Sequence, residues 1–489
     1  MTTRVSTWGR VSSGLVVCML AACGGGGGGG YGSMTLTPTI NFSQPAAPAT
    51  INFGQSTTVA WTSAYTTSCT ASTSSAAAGA FAGTQMTSGS VTVVPTAPGT
   101  YTYTLSCTGT GGTKSTSTTV TVTPNLLAAL APTGAILTVG STVDPTNGDF
   151  NPYGLTIAPA TAGPITKGDL VVCNFNDSAG KEGNGTTIIG LHPAAGSKPY
   201  RIAQSADLLG CNALTMLPDD SILAAAWGTN LNPLVSASGA VGTPFSDTFA
   251  GPWGAAFVAA TATQPAAIYV SNAPGGPTSA GGTIDRISLD VDAQTSFTEI
   301  VTGICSGGAP GAIFGPAGLT YDPASDTLYV VATSSASVIA IAKVSSIPKD
   351  GVVVNGQCAA TTATPTPVPT FSGPSMASAT VVAHGAPFNT PLSAALLKNG
   401  DLLVANADIG ITTPSATTNL LIEVSPVLPG GFVGHPLQVD TGTPGALFGL
   451  VATVDAQGNQ VIYFNDDNNN AVMQLGPVAA ASGGGPSPY

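Results

Sequence analysis

The sequence runs to 489 residues, of which only 7% are charged, against about 25% in an average soluble chain. Eleven Lys and Arg face 23 Asp and Glu, a formal net charge of −12. No basic cluster is present to neutralise a phosphate backbone, so nucleic acid is excluded as a partner. Beyond the first 22 positions no run of 18 apolar residues occurs, which leaves no candidate for a helical membrane span.

In chain order, the first element is a leader. Residues 1–10 carry Arg4 and Arg10 and no acid, and the stretch VSSGLVVCML follows at 11–20. A positive start, a short apolar core and small residues before a cleavage point read as a secretory signal. The tetrapeptide Leu20-Ala21-Ala22-Cys23 resembles the lipobox of bacterial lipoproteins. That resemblance implies a signal peptide over 1–22 and a mature chain that begins at lipidated Cys23, an anchor to the membrane. Two or three acyl chains hold stably where one holds marginally. Gly24 to Gly30 read as a flexible tether, giving an anchor-and-tether segment over 23–34. Gly24 stands where Asp would imply inner-membrane retention, so by analogy with enterobacterial lipoproteins the expected location is the outer membrane, on either face. An ordinary secretory signal with a chance cysteine is the other reading.

Eight cysteines less Cys18 in the leader and Cys23 at the anchor leave six, namely Cys69 and Cys107, Cys173 and Cys211, Cys305 and Cys358. Pairing neighbours is the simplest connectivity of those open. Disulfides suit an exported chain.

Residues 35–123 hold short alternating runs, among them STTVAWTS, SCTAST, GSVTVVP and GTYTYTLSCTG, separated by turn residues. Such spacing predicts a β-sandwich. The stretches TTVAWTSAYTTSCTAS and GTYTYTLSCTGTGG resemble bacterial immunoglobulin-like domains, which implies a spacer or an adhesive module. Trp61 precedes the first cysteine instead of lying between the two, so Cys69 and Cys107 are expected to join different strands from those of antibodies. A linker is expected over 124–137.

Residues 138–477 repeat one pattern six times, ahead of a tail over 478–489. First strands read NPYGLTIAP, GCNALTMLP, GPWGAAFVA, GPAGLTYDP, PLSAALLKN and ALFGLVATV; second strands include GDLVVCNFND, DTLYVVATS and GDLLVANAD. The third strand of the second repeat cannot be placed from sequence. Repeats that cannot bury both faces alone do so by stacking around an axis. The pattern P-x-G-L … G-D-L-h-V-A-N, with h apolar, resembles NHL-type β-propellers, commonly six-bladed. The expected fold is therefore all-β, an N-terminal Ig-like sandwich followed by a six-bladed propeller.

Aligning the repeats gives two columns at one expected mouth. Second strands finish at Asn174, Ala226, Asn272, Ala332, Asn406 and Asn465. The residue ahead of the small residue opening each first strand is Tyr153, Asn212, Trp253, Ala317, Ser393 or Phe448. Trp227 adjoins the first column. Asn offers donors and acceptors and aromatics a flat apolar face. The candidate rim of Tyr153, Asn174, Trp227, Trp253, Asn272, Asn406, Phe448 and Asn465 thus suits a neutral polar ligand, a glycan or a peptide or protein segment. Against it, Asn closes turns and aromatics pack between blades for structural reasons alone.

Chemistry is sparse. His192, His384 and His435 form no metal-spaced pair and read as surface or loop residues, and no G-x-S-x-G elbow occurs. Asp466 and Asp467 in FNDDNNN, and Asp177 and Glu182 in NDSAGKEGNG, read as solvated turns. Such turns offer Ca²⁺ its oxygen ligands, but without EF-hand spacing, and no cofactor is expected. Six-bladed propellers include calcium-dependent lactonases. That family implies a Glu in the first blade, and NPYGLTIAP carries none. Quinoprotein sugar dehydrogenases imply a channel His with Arg or Lys, and only Arg286 and a few Lys are available. The expectation is a lipid-anchored envelope protein with a binding propeller and no catalytic residues, with a metal-dependent hydrolase of lactonase type as the rival and a purely structural envelope protein as a third reading.

Overall fold

The computed structural model describes residues 35–45, 49–53, 55–123, 125–130, 136–245, 249–262, 264–289, 295–355, 367–428 and 430–477. The leader, Cys23 and Cys358 lie outside the described residues. The chain is nearly all β, with 53% strand and 5% helix.

The first unit consists of two sheets face to face. One is Thr39–Gln44, Thr57–Ala64 and Ser88–Val93. The other runs Ala49–Asn52, Gly112–Thr123, Gly99–Gly109, Ser68–Thr73 and Gly83–Gln85. Alternation puts Val59 and Trp61 of the first sheet and Tyr101, Tyr103 and Leu105 of the second into one buried core. Phe81 joins them edge-on, its ring centroid 5.7 Å from Trp61 and 5.7 Å from Tyr103. Cys69 and Cys107 face each other on neighbouring strands of the same sheet and are disulfide-bonded.

A short helix, Leu126–Leu130, follows inside the span expected to be a linker. Leu127 and Leu130 are buried against Leu403, Leu421 and Phe464 of the second unit. The buried carboxylate of Glu423 accepts N–H bonds from Leu126 (3.1 Å) and Leu127 (2.6 Å) and one from the Asn125 amide (2.9 Å). It therefore holds the donors that a helix start leaves unpaired.

The second unit is six sheets whose first strands stand side by side in order, the sixth returning to the first. These strands are Phe150–Ile157, Cys211–Met216, Pro252–Val258, Pro316–Asp322, Pro391–Leu396 and Leu447–Val454. All six line one axial cavity, so the sheets are blades of a propeller. Each second strand packs between neighbouring blades, which is why Leu170–Asn176 and Thr327–Ala332 are buried at every position. The sixth blade takes its outer strand from the opposite end of the unit, since Leu137–Ser141 pairs antiparallel with Ala471–Leu475.

Two features escaped the repeat pattern. The third strand of blade two is only Leu234–Val235, extended outward by isolated bridges such as Val235 to Val241. Between the third and fourth strands of blade four the chain leaves to build Val352–Asn355 and Thr370–Ser372 on the outer edge of blade three.

The small-residue column has a packing cause. A Cβ on Gly154 would lie 2.9 Å from Ala213 Cα, and one on Gly318 would lie 2.8 Å from Leu392 O, in each case the backbone of the next blade. Hydrogen bonds tie blade three to four, from Ser271 Oγ to Ala317 O (2.6 Å), four to five, from Thr333 Oγ1 to Pro391 O (2.8 Å), and six to one, from Asn465 Nδ2 to Tyr153 O (3.0 Å). Ser393 Oγ donates likewise to Phe448 O. Cys173 of blade one and Cys211 of blade two form a disulfide across the junction of those two blades. Gly154→Val is expected to wedge blades one and two apart and cost about 2–3 kcal/mol, read as a lower urea midpoint with an unchanged slope.

Candidate functional site

Strand register brings the two sequence columns to one end of the ring. Pro152 pairs with Asn174, Pro252 with Asn272 and Pro391 with Asn406, and Leu447 pairs with Asp466 beside Asn465. The aromatics meet each other there. Tyr153 stacks on Phe448 at 3.8 Å and on Phe175 at 4.2 Å, and Trp253 stands edge-on at 6.1 Å. With Leu392, Ala317 and Ile313 they form a buried plug across the axis. Tyr153, Trp253 and Phe448 are no more than 9% exposed. Their faces are therefore spent on one another rather than offered to solvent. Trp227 is partly buried at the edge of this plug, its Nε1 donating to Ala273 O at 3.2 Å.

The asparagines are buried, and their side-chain N–H groups are spent on protein carbonyls and hydroxyls. Asn174 Nδ2 donates to Thr142 O at 3.0 Å, Asn272 Nδ2 to Thr283 Oγ1 at 3.0 Å, and Asn406 Nδ2 to Pro387 O at 3.1 Å. Asn406 Oδ1 accepts from Asn389 N at 3.1 Å. By contrast, Oδ1 of Asn174, Asn272 and Asn465 has no protein donor, nor has Oδ1 of Asn151 or Asn176. Asn212 has a partner for neither polar atom, although it is only 6% exposed. A buried amide without a partner is costly. This end of the propeller is consequently rich in acceptors that lack donors.

Two carboxylates flank the plug. Glu182, from the hairpin after the second strand of blade one, accepts from Asn176 Nδ2 at 3.2 Å, while its Oε2 has no partner. Asp467 follows the second strand of blade six. Both are half-buried rather than the solvated turn residues that the sequence suggests. Burial pushes the Glu182 carboxyl up. Burial, then the charges of Glu182 and Asp466, push Asp467 up to about 7. Burial and these same two carboxylates, Glu182 and Asp467, hold the Tyr153 hydroxyl well above its ordinary value, so it remains a proton donor. Asp177 behaves as read from sequence, its exposed carboxylate closing the turn through the backbone N–H groups of Ala179 and Lys181.

The position of Glu182 and Asp467 was beyond sequence reasoning because they approach across the seam between the first and last blades. The signal that could have marked them is their shared place, just after a second strand. A carboxyl raised in the folded state favours folding below its unfolded value, near 4, and loses that advantage as pH rises through about 7. Asp467→Asn is accordingly expected to flatten the fall in stability between pH 4 and 7 and to stabilise the chain at pH 8 by on the order of 1–3 kcal/mol. Urea melts at pH 5 and pH 8 check this.

The axial cavity behind the plug measures ≈ 80 Å³, too small for a drug-sized ligand, which fills about 300–1,000 Å³. Among the described residues no group of three or more His, Cys, Asp or Glu converges for a metal. His192 Nδ1 lies 2.6 Å from Asp169 Oδ1 with its side chain largely exposed. His384 ends a strand rather than lying in a loop. Cys305 is disulfide-bonded.

No family model matches the chain, and no curated protein matches it. Among solved structures the chain is similar to a streptogramin B lyase at 13% identity and TM-score 0.37, over 71% of this chain and 88% of that one. It is also similar to a selenomethionine-substituted virginiamycin B lyase from Staphylococcus aureus at 14% identity and TM-score 0.38, over 70% and 99% of the two chains. The architecture described above rests on sheet order and inter-blade bonds.

Proposed function

We propose that this is an exported envelope protein anchored to the bacterial outer membrane through lipidated Cys23, in which an immunoglobulin-like spacer carries an NHL-type propeller that binds a neutral, donor-bearing ligand, a glycan or a peptide. One observation carries the binding role. Amide oxygens of Asn174, Asn176, Asn272 and Asn465 without donors, and the Glu182 and Asp467 carboxylates, gather round an aromatic plug at one mouth. Such a mouth attracts hydroxyl and amide donors. The disulfides fit an oxidising compartment. The two-sheet unit with a Tyr101 hydroxyl bonded back to Ala97 O at 2.7 Å fits the spacer reading.

Glycan arrays and peptide pull-downs with the full chain test the mouth. The Glu182→Gln, Asp467→Asn double variant is expected to lose at least about tenfold in signal, since charge-assisted hydrogen bonds are the strong ones. An unchanged signal would refute the site. Cys23→Ala is expected to move the chain from the membrane to the soluble fraction. A second reading, the metal-dependent hydrolase, draws on the same two carboxylates. It requires saturable Ca²⁺ binding by calorimetry that the double variant abolishes.

A further inference from the structure

A second space in the propeller lies away from the plugged mouth. A cleft of ≈ 380 Å³ opens between blades three and four, at the end where their first strands finish at Val258 and Asp322. That volume falls within the range of small-molecule sites, about 300–1,000 Å³.

Its floor is built by register. Tyr269 and Arg286 are opposite each other on neighbouring strands of blade three, as are Ala267 and Ser288 two residues away, so all four share one face. Blade four supplies Tyr321, Asp326 and Ser345 on the other side. Tyr269 has no exposed surface, and apart from the Arg286 guanidinium beside it its hydroxyl has no hydrogen-bond partner. A buried hydroxyl in that state costs free energy unless something fills its bonding capacity. Burial pushes this hydroxyl up to about 12, so it remains an O–H donor through neutral pH.

Arg286 is fixed by the opposite wall. Its Nη1 donates to Ser345 O at 2.9 Å, Ile347 O at 3.1 Å and Val344 O at 3.5 Å. A guanidinium carries five donors in a planar fork, and this one lines the cleft next to the Tyr269 hydroxyl. Asp326, the one acid in the lining, is occupied by protein donors: Ser345 Oγ at 2.6 Å and Tyr321 Oη at 3.1 Å. An arginine fork matches a carboxylate best, and the Asp326 carboxylate spends its hydrogen bonds on Ser345 and Tyr321 rather than on Arg286. The remaining lining is the two tyrosines and small apolar side chains such as Pro265 and Pro323, with the neutral groups of Thr261, Gln264 and Ser288. Aromatic faces and neutral hydrogen-bonding groups suit a hydroxylated ring.

We propose that this cleft is a second, independent binding site, for a monosaccharide-sized hydroxylated carboxylate of the uronic acid class, its carboxylate on Arg286 and the Tyr269 hydroxyl. The test is calorimetry of the full chain with glucuronate, and with glucose, which has the same ring without the carboxylate. Glucuronate is expected to bind at least about tenfold more tightly than glucose. Tyr269→Phe, which leaves the ring and the packing in place, is expected to weaken glucuronate about five- to tenfold. Absence of glucuronate binding, equal binding of the two sugars, or an unaltered affinity in Tyr269→Phe would each overturn the proposal.

Discussion

A chain shortened to start at residue 143 is expected to lose the closed ring, whereas one shortened to start at residue 125 keeps it. The strand Leu137–Ser141 is the outer strand of blade six, and its pairing with Ala471–Leu475 joins the two ends of the propeller. Val139 is buried with Leu155 and Leu170 of blade one and with Val461 and Tyr463 of blade six. Asn470 O accepts from Thr142 N at 2.8 Å, and Ser197 N of blade one donates to Val139 O at 2.8 Å. Deleting the strand therefore exposes an unpaired edge and empties a core shared by two blades. Unpaired edges template association with other chains. The shorter chain is expected to melt at least about 10 °C lower and to elute as aggregate, while the chain starting at residue 125 melts in one transition. Circular dichroism melts and size-exclusion chromatography of the pair decide the matter.

Glu423→Ala is expected to be the most damaging single substitution in the second unit. Glu423 is 1% exposed. Besides Asn125, Leu126 and Leu127 it accepts from Asn399 Nδ2 at 3.2 Å, and it is hydrogen-bonded to Asp401, itself buried. Burial raises both carboxyls, with Asp401 adding to the rise at Glu423, which reaches about 7. Removing one member of such a network leaves the others buried and unpaired, a cost of about 3–5 kcal/mol. The pH dependence distinguishes this from simple loss of packing. Glu423 favours the folded state fully below its ordinary value of 4.5, and that advantage is lost as pH rises through about 7. Wild-type stability should fall over that window, and Glu423→Gln, which keeps the volume, should show a shallower fall. Guanidinium melts at pH 4.5, 6 and 8 measure both effects.

The repeat of first and second strands was legible in the sequence because both depend on local pattern. Gly154 and Gly318 are small for the close approach of the next blade, and Leu170–Asn176 is apolar throughout for burial on both faces. What escaped depends on residues far apart in the chain. The strand Val352–Asn355 pairs parallel with blade three after passing through blade four, and nothing local announces that detour. Leu137–Ser141 looks like linker until its partner, more than 300 residues on, is known. Strand register brings the aromatic and Asn columns to one end of the strands. Their exposure was not legible, because Tyr153 is covered by Phe175 and Phe448 from two different blades.

The clasp of Glu423 on the stretch 125–127 has a mechanical consequence. Any pull transmitted from the N-terminal side reaches those three residues before it reaches the closing strand at 137. Under such a pull the clasp is expected to give way first, freeing the short helix while the pairing of Leu137–Ser141 with Ala471–Leu475 still closes the ring.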